Sequence, residues 1–196
     1  MLPLTDAARL WLLGLARQAL EAASRSQDLK APEPPPALPA SDRAELARPR
    51  AAFVTLSKRG DLRGCVGRVL PDTALAPLVI EMAQAAARQD ARFQPVTPDE
   101  VPQIQLEISV LSPFFPIQPD QIVPGTHGLA IRRGLYHGIL LPQVATERHW
   151  NATQFLEQTC RKAGLPKDAW RRGATVEAFT ADIIAEPDQR ADGAPR

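Results

Sequence analysis

The chain has 196 residues, enough to bury one substantial core or a core with a small satellite lobe, and short for two large independent domains. Apolar residues make up 44% and charged residues 23%, a balance that excludes chain-wide disorder. With 23 basic against 22 acidic residues the formal net charge is +1, so no overall electrostatic drive toward nucleic acid or an anionic membrane surface exists.

Thr5 is placed to cap a first helix over 6–23, in which Leu10, Leu13, Ala16 and Leu20 recur as an apolar stripe. The run from Leu10 to Ala16 lies between Arg9 and Arg17 and is too short to cross a bilayer. Met1 to Asp6 lacks the positive start of a secretory signal, so a cytoplasmic protein without membrane association is expected. Residues 24–50 read as a tether. Pro32, Pro34, Pro35, Pro36 and Pro39 fix φ and remove backbone donors, which favours an extended chain through which the helix docks back onto a main body at 51–186.

Ala52 to Ser57 reads as a strand, Lys58-Arg59-Gly60-Asp61 as a turn and Leu62 to Val69 as the returning strand. Asp72 or Thr73 is expected to cap a second helix reaching Arg88, with Leu75, Leu78, Val79, Met82 and Ala86 on its buried side. Ile104, Leu106, Ile108 and Val110 alternate with Gln105, Glu107 and Ser109, the period of a half-buried strand. A second hairpin is predicted over Leu129 to Leu141, turning near Arg133-Gly134. Asn151 with Gln154 forms a capping-box start for a third helix, and Gly164 before Pro166 ends it. One last strand is predicted over Val176 to Ala185, followed by a disordered tail at 187–196. Antiparallel hairpins separated by helices, without βαβ alternation, predict an α+β fold.

The chemistry-bearing residues concentrate in Leu62-Arg63-Gly64-Cys65-Val66-Gly67. On a regular strand Arg63 and Cys65 share one face, and a guanidinium beside a thiol favours the thiolate that a nucleophile needs. Gly64 and Gly67 mark a bulge or close approach by a ligand. A plainer reading competes: cysteine is among the most buried residue types, and such glycines also admit a helix packed tightly on the sheet. His127, between Gly125 and Gly128, is the candidate acid or base, against an ordinary solvent-exposed loop histidine. Glu107 projects from the polar side of its strand, into a site or into water. Asp90 and Arg92 follow the second helix and either pair with each other or close its carboxyl end, against a functional role in which Arg92 holds a substrate. Cys65 and Cys160 form no Cys-x-x-Cys pair and the histidines lack helical zinc spacing, so no metal is read here and any cofactor is unknown. Lys58, Arg59, Arg63 and Arg68 gather on one hairpin, but the near-neutral chain makes nucleic acid an unlikely partner.

The Leu62 to Gly67 motif resembles the hallmark of the AMMECR family, and further matches follow in order: Phe53-Val54-Thr55-Leu56, Asp90-Ala91-Arg92-Phe93, Glu107 to Ser112, Gly125-Thr126-His127-Gly128-Leu129, Gly138 to Val144 with Trp150, and a closing strand through Phe179. The resemblance implies one AMMECR-like domain over 1–186, a two-lobed α+β fold with a cleft between the lobes. In prokaryotes such proteins look like component A of a system that also contains a Memo-like protein and a radical-SAM enzyme, which implies those two partners. The resemblance implies partners and not a reaction; the co-facing Arg63 and Cys65 between two glycines lead to the expectation of an enzyme or enzyme subunit that acts in the cleft on a small molecule or protein side chain. Cys65, His127 and Glu107 would do the chemistry, and Arg63, Gly64, Gly67 and Arg92 would hold the substrate. The alternative is a non-catalytic adaptor or a peptide- or nucleotide-binding module.

Overall fold

A computed structural model describes residues 4–187. In chain order these form α1 (Asp6–Ser24), α2 (Ala40–Leu46), β1 (Pro49–Lys58), β2 (Asp61–Ala74), α3 (Leu75–Arg88), β3 (Ile104–Leu111), β4 (Phe115–Pro116), β5 (Gly128–Arg133), β6 (Tyr136–Leu140), α4 (Pro142–Glu147), α5 (Ala152–Lys162), β7 (Thr175–Phe179) and β8 (Ala181–Ala185). This is the α+β class that the pattern predicts. The strands form two four-stranded sheets, ordered β2-β1-β3-β8 and β4-β7-β5-β6. The chain divides into two compact units, residues 1–110 with 183–196 and residues 111–182. Among the described residues no helix is long and apolar enough to cross a membrane.

In the first unit, Thr5 caps α1 by accepting from the Ala8 amide, as its position predicts. The buried stripe is Leu12, Leu13, Leu15, Ala16, Ala19 and Leu20; Leu10, expected in the stripe, is 69% exposed. Arg17 ties the helix to the sheet margin, donating to the Val101 and Ile104 carbonyls at 3.1 and 2.8 Å and to Glu186 at 3.0 Å. Residues 24–50 are not wholly extended. They hold α2, whose Asp42 accepts from the amide of Thr5 at 3.2 Å, and whose Glu45 makes a buried ion pair with Arg50. Leu38 and Leu46 are buried in the same core, so the proline run leads into a docked element.

β1 and β2 form the expected hairpin, with Arg59 and Gly60 both at positive φ in its turn. β2 runs on through Asp72 and Thr73, so neither caps α3; the N-cap is Ala74, without a side-chain bond. Val54 and Leu56 of β1, Ile104, Leu106 and Ile108 of β3 and Ile184 of β8 share a core with α1 and α3. That burial supplies most of the drive to fold this unit.

The second unit centres on the β5–β6 hairpin, whose Leu129 and Ile131 pack with Phe155, Leu156 and Cys160 of α5. Asn151 and Gln154 complete the capping box of α5. The single closing strand predicted over Val176 to Ala185 is interrupted at Thr180: β7 pairs with β5, and β8 belongs to the other sheet. The tail predicted at 187–196 lies, beyond Pro187, outside the described residues.

Candidate functional site

β2 is an edge strand of its sheet, so its outward N–H and C=O groups need partners from elsewhere. At Cys65 the turn after α3 provides them. The Cys65 amide donates to Oδ2 of Asp90 at 2.9 Å, and Nη2 of Arg92 donates to the Cys65 carbonyl at 3.4 Å. The two side chains are also paired, with Nε and Nη2 of Arg92 donating to Asp90 at 2.9 and 2.7 Å. Together they stand in for a neighbouring strand at one residue. The Asp90 side chain is only 7% exposed, and the hydrogen-bonded Arg92 guanidinium holds its carboxyl well below the usual carboxylate range.

The Cys65 thiol lies half-buried, opposite Thr55 on β1, whose hydroxyl donates to Sγ at 3.3 Å. Burial pushes this thiol up from its ordinary pKa, outweighing the Thr55 hydrogen bond and the positive charge of Arg92; Asp90 and Glu107 push the same way. The thiol is therefore protonated at neutral pH. A guanidinium does stand beside it, but it belongs to Arg92.

Arg63 is placed differently from a residue of a regular strand. Leu56 pairs with Gly64 while Ser57 pairs with Leu62, so Arg63 is the extra residue of a β-bulge. Its guanidinium grips Glu100 with two prongs, Nε to Oε1 at 3.2 Å and Nη2 to Oε2 at 2.9 Å, and Lys58 adds a third bond at 2.9 Å. Arg63 and Lys58 push the Glu100 carboxyl down to about 2. The Phe93 ring ties this cluster to the thiol's surroundings: the Cζ atoms of Arg63 and Arg92 lie 5.8 and 5.4 Å from its centroid.

Both motif glycines have packing reasons. A β-carbon on Gly64 would stand 2.4 Å from the carbonyl oxygen of Ala86, because α3 rides directly on the strand there. At Gly67 the Phe53 ring occupies the space, 2.1 Å from an added β-carbon. Glu107 on β3 is half-buried and accepts from the Ser109 hydroxyl at 3.5 Å. Cys65, Arg92 and Glu107 thus share one electrostatic neighbourhood, with Arg63 joined to it through Phe93.

His127 belongs to the second unit. Its Nδ1 accepts from the Val123 amide at 3.1 Å and its ring stands edge-on to Phe115, with centroids 5.9 Å apart. With that lone pair engaged, the neutral ring carries its proton on Nε2, which can donate but not accept. Three contributors to the site escaped the pattern: Thr55, the backbone bond of Asp90, and Glu100. Register counted from the hairpin turn misses Thr55 by one residue, and Glu100 sits in a short 3-10 helix whose sequence gives no sign of Arg63. Among the described residues no three His, Cys, Asp or Glu side chains gather closely enough to hold a metal ion.

Comparison with known proteins agrees with this architecture. An uncharacterised protein from Pyrococcus horikoshii has a crystal structure that superposes with a TM-score of 0.84 at 36% sequence identity, covering 95% of each chain. A protein of Methanothermobacter thermautotrophicus is 42% identical over 184 residues, 89% of this chain and 92% of that one. Another, from Thermococcus kodakarensis, is 40% identical over 188 residues, 90% of this chain and 89% of that one. The AMMECR1 family model matches residues 13–184, and on these grounds the chain belongs to the AMMECR1 family.

Proposed function

We propose that the chain is a binding module whose recognition surface is the patch around Cys65, with the thiol serving as a neutral contact. The observation that carries this reading is the clamping of Cys65: both outward backbone groups are held by the Asp90–Arg92 pair while the sulfur stays half-buried. Such an arrangement fixes the position of a side chain without activating it, which suits recognition by a preorganised surface. Arg92 keeps 56% of its side chain exposed and can turn free N–H donors toward an acceptor on a guest. A Memo-like protein and a radical-SAM protein are the proposed partners, and the cytoplasm is the proposed location; Cys65 and Cys160 are both free thiols, as a reducing compartment requires.

A second reading, an enzyme with Cys65 as nucleophile and Glu107 assisting, draws on the Thr55 hydroxyl at 3.3 Å from Sγ and on the charge of Arg92. In that reading a bound substrate has to complete the activation of the thiol. The two separate in a deletion strain complemented with variants. The binding reading expects Cys65→Ser, neutral and nearly isosteric, to rescue fully, and Cys65→Trp, which fills the patch, to fail. A folded Cys65→Ser protein that does not rescue would overturn the binding reading in favour of chemistry at sulfur.

A further inference from the structure

The β5–β6 hairpin closes on the pair Arg133 and Tyr136, leaving Gly134 and Leu135 as a two-residue turn. Gly134 has φ +60° and Leu135 keeps an ordinary negative φ, the pattern of a type II′ turn, whose second position accepts almost any residue. A polar residue would serve there, yet the position holds a leucine that is 96% exposed, beside a tyrosine that is 59% exposed. The Tyr136 ring lies against Gly164 at the end of α5, its Cδ1 only 3.5 Å from where a β-carbon on that glycine would stand.

Four cations lie on the hairpin and on the helix packed against it. Arg132 and Arg133 on the hairpin, and Arg161 and Lys162 in the last turn of α5, are exposed and have no ion-pair partner among the described residues.

We infer that the Leu135–Tyr136 tip is a docking point for a protein partner presenting an apolar pocket rimmed by carboxylates. Leu135 enters the pocket, Tyr136 packs at its mouth, and the four cations meet the rim. Tyrosine and arginine are the residue types that dominate binding hot spots. Two apolar side chains are too few to hold a protein on a membrane, where stable anchoring needs far more buried apolar surface. Leucine offers no face for stacking a base, which disfavours single-stranded nucleic acid. This surface shares no residue with the Cys65 patch, so the inference stands or falls independently of the proposed function.

The test is site-specific photocrosslinking in cells. The full chain carries benzoylphenylalanine in place of Leu135, and a control carries it in place of Leu70, which is 66% exposed on β2. A protein captured from position 135 but not from 70 is then purified and titrated with the wild-type chain, Leu135→Asp and Arg133→Glu. The inference expects each variant to weaken binding at least tenfold with an unchanged melting temperature, and reversal of one partner carboxylate to restore affinity for Arg133→Glu. Leu135→Ser, an ordinary residue for this turn, serves as a second variant that keeps the fold and should weaken binding similarly. The inference is overturned if position 135 captures only nucleic acid, only lipid, only a second copy of this chain, or nothing. Unchanged affinity in Leu135→Asp would overturn it equally.

Discussion

Replacing Gly64 by alanine isolates the contact between the motif strand and α3. The added β-carbon would stand 2.4 Å from the Ala86 carbonyl oxygen and 3.3 Å from its carbon, both backbone atoms in the last turn of α3. Ordinary contact lies near 3.4 Å, so strand or helix must move by about 1 Å, and inserting a methyl into a filled core typically costs about 1–3 kcal/mol. Alanine also restricts the unfolded chain, which returns about 0.4–1 kcal/mol. From the middles of these ranges the net loss is about 1.3 kcal/mol, or a fall of about 3–5 °C in melting temperature for a protein of this length. Gly67→Ala is the matched control: its β-carbon meets the Phe53 ring, a side chain that can rotate away, so the loss should be under about 1 kcal/mol. Differential scanning calorimetry on both variants measures the difference. A Gly64→Ala protein as stable as wild type, or one less affected than Gly67→Ala, would refute the packing account of this glycine.

Two further predictions follow from the ion pairs. Asp90→Ala removes the acceptor for the Cys65 amide and strands the Arg92 guanidinium, and should cost about 1.5–3 kcal/mol in urea unfolding, whereas Asp90→Asn, which keeps one acceptor, should cost less. Equal losses in the two variants would contradict the role of that hydrogen bond. Glu100 titrates near 2 in the folded chain, below its unfolded value, so its contribution is complete above the usual carboxylate range and disappears as pH falls from about 4.3 toward 2. Glu100→Gln should therefore flatten the acid limb of the stability curve over that window, and an unaltered limb would show that the Arg63 and Lys58 pairs contribute nothing.

Much of the fold is legible because its signals are local. Thr5 and the Asn151–Gln154 box place two helix starts, and the alternation from Ile104 to Val110 places a strand. The failures involve long-range geometry. Nothing at Thr180 tells a strand to leave one sheet for another, since both halves are equally extended. α2 lies beyond a proline run and is held by the contact of Asp42 with Thr5, 37 residues away, which only the fold brings near. The site was legible in its parts and misread in its pairing. Counting outward from the Lys58–Asp61 pair sets Thr55 against Gly64, and only the bulge at Arg63 shifts the register so that Thr55 meets Cys65. The same bulge turns Arg63 toward Glu100 and leaves the thiol to Arg92.

The most direct test of the account is the titration of Cys65 itself, followed by the rate of iodoacetamide alkylation against pH, with Cys160, 0% exposed, as the internal slow thiol and Cys65→Ser as the blank. Burial predicts a midpoint above that of a free cysteine, about 8.5, and slow modification at pH 7. A midpoint below 7 with rapid modification would mean that Arg92 and Thr55 overcome burial, that the resting sulfur is a thiolate, and that the neutral-contact account of this site is wrong.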